Sequence, residues 1–172
     1  MIQLQKLTPQ DFDTLISWVD TAELLMQFAG PGFTFPLTHQ QITSSVNDPH
    51  RLAFKVIETT TDEMIGHAEI YLKEKSACLG RIIIGDKDRR GKGIGQEIMK
   101  QLLEYSFSKL NQTKVELNVF DWNANAIKCY EKFGFEIERG KERETKMNDE
   151  IWTVVNMTLE KVKWEDIKKN GR

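Results

Sequence analysis

The residues best suited to do chemistry in this chain lie in one short run, Asp86-Lys87-Asp88-Arg89-Arg90-Gly91-Lys92-Gly93-Ile94-Gly95. It is rich in glycine and carries Lys87, Arg89, Arg90 and Lys92. Before it stands Leu79-Gly80-Arg81-Ile82-Ile83-Ile84-Gly85, an apolar run the length of a buried strand. After it, Ile94, Ile98 and Leu102, and beside them Met99, Leu103 and Leu110, recur at helical spacing. Strand, glycine turn, helix is an arrangement that presents backbone N–H groups to an anion. The first helical N–H groups have no intrahelical acceptor, and the helix dipole makes that end positive. Gly91, Gly93 and Gly95 remove the Cβ atoms that would hold a phosphate away. The spacing points to a site for a phosphorylated ligand, and a pyrophosphate suits it best.

Two common phosphate loops are excluded. Gly95 is followed by Gln96, so the Lys-Ser/Thr ending of a P-loop is missing, and the third glycine of Gly-x-Gly-x-x-Gly is absent. A second stretch, Asn123-Ala124-Asn125-Ala126-Ile127-Lys128-Cys129-Tyr130 followed by Phe133-Gly134-Phe135, adds a different chemistry. Ala126 and Tyr130 are four apart on one helical face, a small residue leaving room beside a phenol. Asn123 is also placed to cap that helix.

Arg90-Gly91-Lys92-Gly93-Ile94-Gly95 fits Arg/Gln-x-x-Gly-x-Gly/Ala, and Asn123 to Tyr130 fits Asn-x-x-Ala-x-x-x-Tyr. Both motifs, in this order, resemble the GNAT (Gcn5-related) N-acetyltransferase family over roughly Arg51 to Leu159. Trp18, Phe28-Ala29-Gly30-Pro31 and Ile84-Gly85-Asp86-Lys87-Asp88 look like its RimJ/RimL-type branch. The resemblance implies a single α/β (α+β) domain, a mixed central sheet flanked by helices, with strands splayed at the acetyl-CoA site. It implies transfer of the acetyl group of acetyl-CoA to a primary amine, of a small molecule or a protein N-terminus, by direct attack in a ternary complex. By motif position Ile83, Ile84 and Gly85 would line the acyl-pantetheine arm, with an N–H aimed at its carbonyl. Arg90, Gly91, Lys92, Gly93, Ile94, Gly95 and Gln96 would hold the pyrophosphate, Asn123 the pantetheine, and Tyr130 would donate to the leaving sulfur. Two rival classes are a CoA-binding sensor or scaffold without catalysis, and a nucleic-acid reader of the basic turn. The turn has no interleaved aromatics and the net charge is −2, which disfavours nucleic acid.

An attacking amine must lose a proton, so a base is needed. RimI-like members of the family carry a glutamate five residues before the motif asparagine; here that position is Asn118, which cannot serve. Glu69 is the substitute, read as facing solvent from a strand beside the central one, with His67 two residues before it; Asp121 and a water chain are its rivals. Phe28, Phe33 and Phe35 bracket Gly30-Pro31-Gly32, and as a mobile aromatic loop they would form one wall of the acceptor pocket. Their alternative is to be core plugs.

The elements that must position these residues follow from patterning. Ile2 to Leu7 alternates as an edge strand. Thr8-Pro9-Gln10-Asp11 opens a helix whose buried stripe is Phe12, Leu15, Ile16 and Val19. A second helix covers Ala22 to Phe28, and Thr38 to Gln41 opens a third. Strands follow at Leu52 to Val56, Met64 to Leu72, the central Leu79 run, Val115 to Val119, Phe135 to Ile137 and Ile151 to Leu159. The expected organisation is an acetyltransferase domain over 1–160 and a polar, weakly helical or frayed tail over 161–172. With 172 residues the chain can bury a substantial core, and 40% hydrophobic against 29% charged residues matches a soluble globular protein. Cys78 and Cys129 have no metal-ligand spacing and read as structural, so no metal is expected. No signal-like N-terminus or membrane-length apolar run is read, which sets the expected location as cytoplasmic, with no membrane or nucleic-acid partner. A homodimer is compatible with this reading.

Overall fold

Alternation in Ile2-Gln3-Leu4-Gln5-Lys6 makes β1 (Ile2–Lys6), which lies at a sheet edge and pairs antiparallel with β2 (Arg51–Glu58). The computed structural model describes residues 1–170. The Asp11 carboxylate accepts from the Thr8 N–H at 2.8 Å and its hydroxyl at 2.7 Å, fixing the turn into α1 (Phe12–Ser17). Phe12, Leu15 and Val19 are buried as the stripe predicts. Thr21 caps α2 (Ala22–Ala29), which ends at Gly30, and Thr38 caps α3 (His39–Val46). Then come β3 (Glu63–Leu72), β4 (Ser76–Ile84), α4 (Ile94–Glu104), β5 (Lys114–Phe120), α5 (Ala124–Glu131), β6 (Glu136–Ile137), β7 (Arg143–Met147), β8 (Glu150–Glu160) and α6 (Lys161–Asn170).

The chain forms two compact units. The first holds Met1–Leu72 and Gly80–Leu102; the second holds Lys73–Leu79 and the chain from Leu103 onward. In the first, the strand order is β1-β2-β3-β4. Its core joins Leu7, Phe12, Leu15, Val19, Leu25 and Phe28 of the N-terminal segment to Ala53 and Ile83 of the sheet. In the second, the order is β4-β5-β8-β6, with β7 also on β8. There β8 is antiparallel to β5, β6 and β7. The mixed α/β fold expected from the motifs is the fold found.

Strand β4 belongs to both units, and its parallel ladder with β5 runs only from Ser76↔Lys114 to Leu79↔Leu117. Beyond Leu79, β4 continues to Ile84, and β5 runs on to Phe120. Helix α4 runs on from Tyr105 to Lys109 in a wider π turn, with the Leu110 N–H donating to the Tyr105 carbonyl at 3.0 Å.

One expectation is settled and one changes. Of the two readings of the polar stretch, frayed or weakly helical, the helical one holds: it is α6, with the Trp164 ring buried against Phe107 at 4.9 Å; Gly171 and Arg172 lie outside the described residues. Strand β3 has no solvated face: Ile65, His67 and Glu69 are as buried as Ala68 and Ile70. Polarity at alternate positions suggested a half-exposed strand, but α2 and its following loop cover that side.

Candidate active site

The glycine turn in the first unit has the anticipated form. Gly91 and Gly93 take φ of +75° and +84°, a region that side chains disfavour, and a Cβ on either would meet no protein atom within 4 Å. Side-chain space there is open to a ligand. The first α4 bond runs from the Glu97 N–H to the Gly93 carbonyl at 3.1 Å, so the N–H groups of Ile94, Gly95 and Gln96 precede the ladder. The backbone rim of the turn therefore has the form a pyrophosphate requires.

The basic side chains divide into distinct roles. Arg90 bends back and donates to the Ile84 carbonyl from Nε at 3.3 Å and from its terminal nitrogen at 3.0 Å, tying the turn to its own strand. Arg89 is paired with Glu58 and Glu63, both at 2.8 Å, and with Asp86 at 3.6 Å. Lys92 is exposed. A depression of ≈ 450 Å³ beside the turn is lined by Glu58, Asp86, Asp88, Arg89, Lys92 and Ile94. Three carboxylates outnumber two cations there, which disfavours this depression as a seat for phosphate.

The arm-lining segment is only partly as expected. The Gly85 N–H is committed to the Ile65 carbonyl at 3.0 Å and cannot point at an acyl oxygen. Strand alternation puts the Ile84 N–H on the opposite edge. The Ile83 side chain is buried in the core, while Ile84 is half-buried. Gly85 is required by Trp18: an added Cβ would sit 2.1 Å from the indole.

Glu69 overturns its expected setting. It is 3% exposed, and its carboxylate accepts from Arg51 at 2.6 Å, Arg81 at 3.1 and 3.3 Å, and His67 Nε2 at 3.2 Å. Burial raises its pKa, but the His67 hydrogen bond and the Arg81 and Arg51 guanidiniums outweigh that and hold it at about 2. A carboxylate so stabilised is a weak proton acceptor. Arg81 also donates to Ser45 and lies 3.8 Å from the centre of the Phe33 ring. It adopts φ +50°, and Gly32 leaves it room, since a Cβ there would come within 2.8 Å of its guanidinium.

The aromatic loop is not a mobile wall. Phe28 and Phe33 are buried core members, and only Phe35 is exposed, at 47%. Gln41 clamps the loop, accepting from the Thr34 N–H at 2.8 Å and donating to the Thr34 and Pro36 carbonyls at 2.9 and 3.0 Å. Arg51, Arg81 and His67 were not singled out as site residues beforehand. A charged residue inside the apolar Leu79–Gly85 run was the available signal for Arg81.

Within the second unit, the Asn123 side chain caps α5 by accepting from the Ala126 N–H at 3.3 Å. Tyr130 is half-buried, its ring T-shaped against Phe135 at 6.1 Å, and desolvation pushes its phenol up to about 12. Burial likewise raises the Cys129 thiol. Asn118 accepts from Arg143 at 2.9 Å and Asn156 at 3.1 Å, a surface hydrogen-bond node. Asp121 is exposed. Among the described residues no group of three or more His, Cys, Asp or Glu could hold a metal, and no helix is long and apolar enough to cross a membrane.

Residues 2–136 match the model of the acetyltransferase (GNAT) domain. The L-amino acid N-acetyltransferase AaaT of Escherichia coli (strain K12) is 33% identical over 79 residues, 44% of this chain and 49% of that protein, so the match spans about half its length. An aminoglycoside N(6')-acetyltransferase type 1 of Klebsiella pneumoniae is 25% identical over 149 residues, 78% of this chain and 74% of that one. Among solved structures, spermidine N-acetyltransferase from Vibrio cholerae in complex with CoA and spermine superposes with a TM-score of 0.80 at 24% identity, covering 95% of this chain and 98% of that one. That protein has also been seen as a dodecamer.

Proposed function

This chain belongs to the GNAT acetyltransferase family, and from that premise we propose that it passes the acetyl group of acetyl-CoA to the primary amine of a small molecule by direct attack in a ternary complex. Acetyl-CoA is the co-substrate. The observation that carries the reading is the open rim of the glycine turn, where three N–H groups precede the α4 ladder and no protein atom lies within 4 Å of a Cβ on Gly91 or Gly93. Its backbone donors stabilise phosphate charge without a side chain having to be ordered.

The roles of the remaining residues follow chemically. Asn123, already fixed by its capping bond, offers its amide NH₂ to the pantetheine. Tyr130 stays protonated because burial disfavours its phenolate, and so donates a hydrogen bond to the sulfur as negative charge develops there. The Ile84 N–H, on the edge of β4 away from β3, is the donor placed for the acyl oxygen. Cys129 stays a thiol, which agrees with direct attack and not an acyl-enzyme.

A small amine is favoured over a protein N-terminus because the relatives named above act on L-amino acids, aminoglycosides and spermidine. We read the N-terminal segment as RimJ/RimL-type, supported by the fit of Trp18 against Gly85, and a self-association as the oligomeric form. The test is calorimetric binding of acetyl-CoA together with CoA release against spermidine, an aminoglycoside, L-amino acids and a peptide N-terminus. Turnover on one of the small amines is expected. Acetyl-CoA binding without turnover on any acceptor would instead mark a sensor.

A further inference from the structure

We propose that His67 Nδ1 takes the proton of the attacking amine, and that Glu69 is the positioning residue that keeps it free to do so. The inference rests on the acetyl-transfer reading above and names the residue that the reading leaves open.

The argument begins with the tautomer. His67 Nε2 lies 3.2 Å from Glu69 Oε1. An ionised carboxylate can only accept, so Nε2 must carry the ring proton. In the neutral ring, Nδ1 is then a bare lone pair. His67 is fully buried, and Nδ1 has no hydrogen-bond partner. A buried acceptor facing no donor is unusual and calls for an explanation. The ligand that satisfies it is an N–H donor, which is what an amine substrate brings.

The arginines complete the device. Arg51 and Arg81 keep Glu69 ionised, so it does not take the Nε2 proton and reverse the tautomer. Other charges near the ring are also committed: Lys55, opposite His67 in the β2–β3 register, is paired with Asp11 at 2.9 Å. This is the division of labour of a nucleophile's base and its orienting carboxylate, transferred to an amine. Phe28 covers the imidazole, T-shaped with centroids 5.9 Å apart. On this proposal Phe28 must turn aside for the acceptor to reach Nδ1.

In the step itself the amine nitrogen bonds to the carbonyl carbon. The carbon–sulfur bond breaks with its electron pair on sulfur, and the amine proton ends on Nδ1. The imidazolium faces the Glu69 carboxylate until it gives the proton to solvent as the amide leaves.

His67→Gln is the discriminating variant. Its amide NH₂ can still donate to Glu69, but the lone pair at the Nδ1 position is gone. Single-turnover acetyl transfer should fall by about 10²–10⁴-fold, the usual worth of a positioned base, with acetyl-CoA affinity and melting temperature close to wild type. In His67→Ala, added imidazole should restore part of the lost rate, which a purely structural role would not allow. A folded His67→Gln as fast as wild type overturns the assignment, as does a folded, acetyl-CoA-binding His67→Ala that imidazole fails to rescue. If His67→Gln does not fold, the imidazole experiment decides alone. Wild type run alongside separates the two readings. No transfer by wild type to any amine defeats the function itself, whereas transfer that His67→Gln matches defeats only the role of His67.

Discussion

The glycine turn and the buried cluster around Glu69 are both built to stabilise negative charge, and they do it in opposite ways. The turn is exposed, uses backbone N–H groups, and spans consecutive residues from Arg90 to Gln96. The cluster is buried and made of side chains: Arg51 from β2, His67 and Glu69 from β3, and Arg81 from β4. The turn leaves its donors free for a ligand. The cluster already holds its anion, because Glu69 occupies the two guanidiniums as a pyrophosphate would occupy the turn. One site is ready to bind charge that arrives; the other uses its own charge to fix a neighbour.

Variants that fill the turn should show the largest effect. Gly93→Val places a branched side chain where no protein atom stands within 4 Å but where φ is +84°, so it fills the ligand's space and also strains the turn. Loss of two hydrogen bonds to a charged group, at about 1.5–3 kcal/mol each, predicts a fall in acetyl-CoA affinity of about 10²-fold or more. Calorimetry on a protein whose circular dichroism is unchanged is the measurement; retained affinity would remove the turn from the site.

Glu69→Gln probes the opposite case and should cost stability before it costs ligand affinity. A carboxyl group moved from its ordinary 4.5 to about 2 on folding contributes about 3 kcal/mol when ionised. Its pKa is depressed in the folded state, so that contribution is complete above pH 4.5. It fades as pH falls from there towards 2. Wild type should therefore lose stability across that window, and the Glu69→Gln variant should show a shallower dependence. Urea unfolding at pH 7 and pH 3 checks both; identical pH slopes would show Glu69 to be unpaired in solution.

The same contrast explains what the sequence could reveal. A backbone site made of neighbours in the chain is read along a line, so Gly91, Gly93, Gly95 and the strand and helix around them were legible. Asn123, Ala126 and Tyr130 were legible too, because one helix carries all three. The cluster was not, since Arg51, Glu69 and Arg81 meet only once β2, β3 and β4 are in register. Alternation in β3 suggested a wet face because it cannot register what lies above the strand; α2 and the Gln41-clamped loop bury that face. The same limit applies to Phe28 and Phe33, whose aromatic spacing fits a pocket wall and a core plug equally well. In the polar tail, one anchoring residue, Trp164, was enough to turn an apparently weak helix into a docked one.

Tyr130 is intermediate, a side-chain donor whose markers are local, and its effect should be intermediate as well. Its phenol is raised to about 12 by burial, so it does not titrate in the working range and gives no alkaline limb below that. A donor this weakly acidic hydrogen-bonds a developing thiolate without handing over its proton. Tyr130→Phe keeps the ring against Phe135 and removes that bond. At about 1.5–3 kcal/mol for a bond to charge, single-turnover transfer should drop by about 10–100-fold with acetyl-CoA affinity nearly constant. A variant equal to wild type would leave Tyr130 as packing alone.

The smallest effect is expected at Arg89, and it decides whether the turn really works through its backbone. Arg89 lies in the basic run and could be taken for a phosphate ligand. Its guanidinium is instead divided among Glu58, Glu63 and Asp86, at the end of β2, the start of β3 and the start of the turn. Glu58 chiefly, with Glu63 and Asp86, raises its pKa, so its charge is balanced by carboxylates and not held in reserve. Ion pairs in such accessible positions contribute little, and salt screens them. Arg89→Gln should accordingly change acetyl-CoA affinity by a few-fold at most, and raising the salt in wild type should produce a change of the same size. The comparison is a salt series of acetyl-CoA binding for both proteins. If Arg89→Gln instead lost affinity on the scale of Gly93→Val, Arg89 would be contacting the ligand directly. The turn would then depend on a side chain released from its carboxylates, and the distinction between the two charge-holding regions would fail.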